Sequence, residues 1–169
     1  MAKYIYDIDL TLYSEKDYKD SNNDDIFYGS FKKKPELKKL LEENPGTKYL
    51  LTNANMEHSA EVLNRLELAD IFEDIITAYD VKEFKPKADI YYVAEHEFKL
   101  KNEDTVYYFE DLKENLDAAK KLTNWKTVLI NPKSNVSKES YIDYTFKTIE
   151  DAMIFFNKKS ENVKKFEKK

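Results

Sequence analysis

The 169-residue chain contains no cysteine. That removes disulfides, thiolate zinc sites and cysteine nucleophiles together, and it fits a reducing compartment. Histidine is scarce too. His58 and His96 are the two present, so a histidine-rich metal site is not expected. His96, in AEHEF, lacks the second histidine of an HExxH zinc site. His58 reads as a surface or capping residue one turn into a helix. No apolar run approaches the roughly 20 residues of a membrane span. The N-terminal run stops at Asp7, unlike a signal peptide. Excess positive charge is absent as well. The net charge of −5 disfavours general nucleic-acid binding, although a local basic patch is compatible with it. What these absences leave is a soluble, cytoplasmic protein with no membrane partner.

Hydrophobic residues make up 41% of the chain and charged residues 36%, which suits one charged-surface globular domain over residues 1–157. Five short apolar runs read as buried strands: KYIYDI (3–8), KYLLT (48–52), DIITA (74–78), TVYYFE (105–110) and KTVLIN (126–131). Continuous rather than alternating runs suit parallel strands covered on both faces. Helical patterns lie between them. Pro35 suits a first helical position, with Leu37, Leu40 and Leu41 at helical spacing until Asn44-Pro45-Gly46 ends the element. Asn55 is a plausible N-cap for a helix reaching Leu66, and 87–98 and 112–122 form two more. A short sixth strand over 141–146 and a helix from about Ile149 complete the order. Alternating strands and helices predict an α/β fold with a mostly parallel sheet and helices on both faces.

Two segments depart from this pattern. Residues 14–34 are polar, with Ile26, Phe27, Tyr28 and Phe31 as their apolar content, and read as a loop or flap rather than a core element. Lys32–Lys34 within it read as a solvated charge run. The end of the chain, 157–169, carries six lysines against two glutamates and reads as a charged tail or solvated helix end.

The stretch YIYDIDLTLY (4–13) places Asp7 and Asp9 at the end of the most apolar N-terminal run. A buried carboxylate is costly unless it is paired, hydrogen-bonded or bound to a metal. In open parallel sheets, ligands gather at the carboxyl ends of the strands. Asp7 and Asp9 leave the first strand there, Thr52 and Asn53 the second, and Glu110 and Asp111 the fourth, while Lys85 lies in the loop after the third. Acids, a hydroxyl and an amine from four segments therefore converge on one rim. Such a set suits phosphoryl transfer through an aspartyl-phosphate. Mg²⁺ matches an oxygen-only ligand set, a lysine offsets charge, and a second carboxylate handles the proton.

DIDLT (7–11), LLTN (50–53), Lys85-Pro86 and FEDLKEN (109–115) resemble the four ordered motifs of the haloacid dehalogenase (HAD) superfamily, over roughly Lys3 to Pro132. The resemblance implies a three-layer Rossmann-like fold and a Mg²⁺-dependent phosphatase. Asp7 would be the nucleophile and Asp9 the general acid/base. Thr52, with Asn53, would bind phosphate, and Lys85 would stabilise the charged intermediate. Asp7, the Asp9 main-chain oxygen, Glu110 and Asp111 would hold the metal. Residues 52–80 and the runs KPKADIYYVAEHEF and VYYFEDLKENLDAAKKL further resemble the pyrimidine 5′-nucleotidase branch, which implies a nucleoside monophosphate as substrate. That branch carries a helical cap where this chain has the 21 residues of 14–34 (34 − 14 + 1), too few for a helical cap. Either Phe27, Tyr28 and Phe31 form a small lid able to stack a base, or the site is open to a bulky substrate or covered by a second copy in a homo-oligomer. The alternatives are an uncapped phosphatase for protein or nucleic-acid phosphates, and a binding module that keeps the fold without turnover.

Overall fold

Strand β1 (Ala2–Tyr6) lies at the middle of the molecule, and the rest of the sheet is laid down on either side of it. The computed structural model describes residues 2–167. β1 pairs in parallel with β2 (Thr47–Leu51) on one side and with β4 (Thr105–Glu110) on the other. β3 (Asp74–Ile76) extends the sheet beyond β2, and β5 (Lys126–Ile130) and β6 (Tyr144–Phe146) extend it beyond β4. The spatial order is β3-β2-β1-β4-β5-β6, every pairing parallel. The chain reverses its direction of travel across the sheet between β1 and β4, and such switch points open crevices at the carboxyl edge.

The apolar runs are explained by helices on both faces. Tyr4, Tyr6, Tyr107, Phe109, Val128 and Ile130 point to the layer of α2 (Pro35–Glu43), α3 (Met56–Leu66) and α6 (Ile149–Glu167). Ile5, Leu51, Val106, Tyr108 and Leu129 face α4 (Ala88–Glu97) and α5 (Lys113–Leu122). Side chains alternate between the two faces, as the strand period requires. Aromatic contacts bind the two central strands: Tyr6 stacks on Phe109 at 4.6 Å and Tyr4 on Tyr107 at 5.5 Å. As the spacing predicts, Pro35 opens α2 and Asn55 caps α3, its side chain accepting the His58 backbone N–H at 2.8 Å.

The 14–34 segment corrects the expectation of an irregular loop outside the core. It holds a 3-10 turn at Glu15–Asp17 and a short helix, α1 (Asp24–Gly29), capped by Asn23. Phe31 is buried, stacked on Tyr18 at 5.1 Å and edge-on to Tyr13 at 5.0 Å, and joins the main core. Lys34 is likewise no free surface charge. It bridges Asp17 at 3.2 Å and Glu150 at 2.7 Å, tying the segment to the start of α6. At the other end, α6 continues to Glu167, so most of the stretch read as a tail is helical; residues 168 and 169 lie outside the described residues.

Gly46 marks a close approach between β1 and the turn that leads into β2. A Cβ built there would meet the Ala2 carbonyl oxygen at 2.6 Å and the ring of Tyr4. Tyr4 is wedged among Tyr6, Tyr107, Phe109 and Phe156 and cannot swing aside. Gly46→Ala is therefore expected to destabilise the fold by about 1–3 kcal/mol, as overpacking does. Urea unfolding should show this as a lower midpoint at unchanged slope.

Candidate active site

The site begins where β1 stops. The Asp7 backbone N–H still donates to the Phe109 carbonyl at 2.9 Å, so sheet pairing carries Asp7 to the switch point. The chain then turns sharply through Leu10, whose φ of 59° is left-handed, a conformation that costs an L-residue about 1–2 kcal/mol. The turn brings Thr11 back over the strand end. Its hydroxyl lies 3.1 Å from Asp7 Oδ2 and 3.3 Å from Asp111 Oδ1.

Lys85 enters from the far side, from a loop held by other side chains. Asp89 accepts the backbone N–H groups of Lys82 and Glu83, at 2.7 and 3.2 Å. Asn53 clamps Lys85 itself, accepting its N–H at 2.9 Å and donating to its carbonyl at 3.1 Å. The Asn53 side chain thus places Lys85. The Lys85–Pro86 peptide is cis. The ammonium reaches Asp7 Oδ1 at 3.1 Å, Glu110 Oε2 at 2.8 Å and the Leu51 carbonyl at 2.8 Å. Thr52 is buried at the end of β2. Its hydroxyl oxygen accepts the Ala54 N–H at 3.0 Å, which leaves the hydroxyl proton to be donated elsewhere.

Glu110 closes the ring. Oε2 accepts from Lys85 and, at 2.6 Å, from the Tyr108 hydroxyl, while Oε1 faces the backbone N–H groups of Asp111 and Leu112 at 3.2 and 3.4 Å. Burial would raise the Glu110 pKa, but Lys85 and the hydrogen bonds of the Asp111 and Tyr108 side chains bring it down to about 2. Burial would lower that of Lys85, and Asp7 and Glu110 instead hold it at about 12. Asp7 is pushed well above the carboxylate range by burial and by the charge of Glu110, against the pull of Lys85. Asp111 rises to about 7 through burial and its contact with Glu110.

Three acids share a pocket with one cation, leaving two negative charges when all are ionised. Asp7, Glu110 and Asp111 each offer an oxygen within 4.8 Å of the others. This hard, all-oxygen set fits a divalent cation such as Mg²⁺, with Asp7 and Asp111 the acids best free to ligate and Glu110 already engaged by Lys85 and Tyr108.

Asp9 stands apart from this ring and is half-exposed. Its Oδ1 accepts from the Tyr13 hydroxyl at 2.6 Å and contacts His58 Nε2 at 2.8 Å. Burial would raise its pKa, but the His58 and Tyr13 hydrogen bonds bring it below the usual value, while the same bond to Asp9 raises that of His58. The sequence-predicted residues Asp7, Lys85, Glu110 and Asp111 are thus in one cluster, with Thr52 and Asn53 beside it and Asp9 at the mouth. Thr11, Tyr13, Tyr108 and His58 complete it, none of them having been assigned to the site from the sequence. Thr11 lies within DIDLT, Tyr13 ends the stretch YIYDIDLTLY around it, and His58 reads as a surface or capping residue; Tyr108, inside a strand run, carries no local signal. Beside the turn, a cleft of about 490 Å³ is lined by residues including Thr11, Tyr13, Lys16, Lys34 and Lys147. Two larger hollows, about 660 and 650 Å³, run along α6 and touch none of the acids. Among the described residues, no helix is long and apolar enough to cross a membrane.

Buried acids and a lysine at the switch point of a parallel α/β domain make a site for a cation and an anionic group. The chain belongs to the haloacid dehalogenase-like hydrolase family, whose model matches residues 9–123. Among solved structures, it is similar to a protein from Thermotoga maritima described as a beta-phosphoglucomutase, at 18% identity and TM-score 0.70 over 94% of this chain and 99% of that one. A HAD-superfamily hydrolase from Ehrlichia chaffeensis aligns at 17% identity and TM-score 0.60, over 90% and 94% of the two chains. L-2-haloacid dehalogenase from Xanthobacter autotrophicus aligns at 16% and 0.62 over 76% of this chain, which spans 62% of that enzyme. Identities this low bear on the fold alone. No curated protein matches the sequence significantly.

The raised pKa values carry a pH signature. Folded and metal-free, Asp7 and Asp111 keep protons that the unfolded chain gives up near pH 4. Their contribution to stability is full below that point, and the Asp111 share is lost as the pH rises through about 7. A divalent cation relieves the repulsion at high pH and competes with protons at low pH. Mg²⁺ should therefore raise the melting temperature more at about pH 8 than at about pH 5, and Asp111→Asn should remove most of the difference. Thermal melts with Mg²⁺ and with EDTA at both pH values check this; an equal shift at both would count against the site.

Proposed function

We propose that the protein is a Mg²⁺-dependent phosphomonoester hydrolase working through an aspartyl-phosphate on Asp7, with nucleoside monophosphates as its substrate class. The observation that carries this reading is the seat of Asp7. It is buried at the switch point between the Lys85 ammonium and the Thr11 hydroxyl, with Asp111 beside it.

An Asp7 carboxylate oxygen attacks phosphorus and the bond to the ester oxygen breaks; Asp9, whose pKa the adjacent phosphate charge raises against the pull of His58 and Tyr13, gives the departing oxygen its proton. Asp9, now a carboxylate, then takes a proton from water as that water attacks the phosphoryl group, freeing inorganic phosphate and restoring Asp7. Lys85 and the Thr52 hydroxyl stabilise the phosphoryl oxygens, and Asn53 holds Lys85 on target. Mg²⁺, when bound by Asp7, Asp111 and the Asp9 carbonyl, supplies the charge neutralisation that lets a carboxylate approach a phosphate.

The nucleotide assignment rests on residues 52–80 and on the mouth of the site. Ile26, Phe84 and Leu112 are large exposed apolar residues on α1 and on the segments that follow β3 and β4. Such surface suits a base and ribose better than a small sugar. Phe31 is not available to stack a base, being packed against Tyr18 and Tyr13. Tyr28 is the aromatic of the segment that faces the acids, through His58. The reading carries with it a cytoplasmic location and a small phosphorylated metabolite as partner.

A second reading, an uncapped phosphatase for protein or nucleic-acid phosphates, is favoured by the size of α1, six residues in place of a helical cap. A homo-oligomer covering the mouth would restore the first. Phosphate release from nucleotides, sugar phosphates and phosphopeptides, with Mg²⁺ and with chelator, separates them. Nucleoside monophosphates should lead, and Asp7→Asn should lower turnover at least about 10³-fold while leaving the fold intact. Better turnover of phosphopeptides or oligonucleotides would favour the second reading. Absence of release from every substrate would leave a non-catalytic module.

A further inference from the structure

One chain of polar contacts runs from the 14–34 segment into the site. The Tyr28 hydroxyl, on α1, lies 2.7 Å from His58 Nδ1, and His58 Nε2 lies 2.8 Å from Asp9 Oδ1. The Tyr13 hydroxyl donates to the same carboxylate oxygen at 2.6 Å. All three contacts are satisfied with the imidazole proton on Nε2: Tyr28 O–H donates to Nδ1, and Nε2–H donates to Asp9. His58 is itself fixed, because Asn55 caps its backbone N–H in the first turn of α3.

Asp9 needs such support. Its side chain is 37% exposed, and the neighbouring Leu10 is in a strained turn. A carboxylate at an open mouth samples several rotamers unless something holds it. Two donors on Oδ1, from Tyr13 and from His58, fix the carboxylate plane and leave Oδ2 free for the substrate.

We propose that His58 and Tyr28 are positioning residues for Asp9, so that the short segment standing in place of a cap sets the aim of the proton-handling carboxylate. This rests on the reading of Asp9 as the general acid/base. It gives 14–34 a task beyond covering the mouth. When α1 is docked, Tyr28 orients the imidazole and the imidazole orients Asp9. Proton transfer is sensitive to small misplacements of the transferring group, so the effect falls on turnover rather than on substrate affinity.

The test uses the full chain with Mg²⁺, with p-nitrophenyl phosphate and a nucleoside monophosphate as probes. His58→Ala should lower kcat about 10- to 100-fold, a share of the roughly 10²–10⁴ typical of a general acid/base, and change KM by less than about threefold. His58→Gln, whose amide N–H can replace Nε2–H, should recover much of the loss, and Tyr28→Phe should lose several-fold. In an Asp9→Asn background, His58→Ala should cost nothing further. A normal kcat for His58→Ala, or losses that multiply in the double variant, would overturn the positioning role while leaving the phosphatase reading intact. A normal kcat for Asp9→Asn would overturn the acid/base reading itself. His58 is partly exposed, so thermal melts should show its variants folded; were His58→Ala to unfold, Tyr28→Phe and His58→Gln would decide the matter by the same kcat readout.

Discussion

The Lys85 ammonium is the contact on which the rest of the site is hung. It touches Asp7 after β1, the Leu51 carbonyl of β2 and Glu110 of β4, so one charge joins the ends of three neighbouring strands. Remove it, and Asp7, Glu110 and Asp111 would crowd together with nothing between them. Buried pairs of this kind contribute little net stability compared with an apolar replacement, but losing one partner is severe. The value of the arrangement therefore lies in fixing where the acids stand. Asn53 and Asp89 hold the loop that delivers the lysine, and Tyr108 holds Glu110 against it.

The same interaction separates the roles of chemically alike groups. Glu110, beside the lysine and fully engaged, stays ionised, whereas Asp111, one residue further on, is pushed up to about 7. Asp9 is governed by a different neighbourhood, His58 and Tyr13, and is lowered. Four carboxylates within a few residues of the strand ends thus have distinct environments.

The strands and the convergence of acids were legible in the sequence because parallel strands buried on both faces leave continuous apolar runs, and topology sends their carboxyl ends to one edge. DIDLT, LLTN and FEDLKEN could be placed on that edge without coordinates. The rest is held by contacts between residues far apart in the chain. His58 looked like a helix-start residue, and its backbone is one, but its ring meets Asp9, 49 positions away. Asn53 stands next to Thr52 and shares its apparent task, yet its partner is Lys85, 32 positions on. Helix α1 was hidden because its six residues carry no apolar period. What holds its segment is aromatic packing among Tyr13, Tyr18, Phe27 and Phe31, which becomes visible once the chain has folded.

The 14–34 segment closes on itself. The Lys32 N–H returns to the Asp17 carbonyl at 2.9 Å, Ser30 and Lys19 exchange hydrogen bonds, and the Lys34 N–H anchors on Leu66 at 3.2 Å. Its two ends are thus pinned near each other on a scaffold that does not depend on what lies between them. Because Tyr28 within it reaches His58, and His58 reaches Asp9, an insert exchanged at that point would change the entrance and the support of Asp9 together, so that the choice of substrate and the chemistry would evolve on one clock.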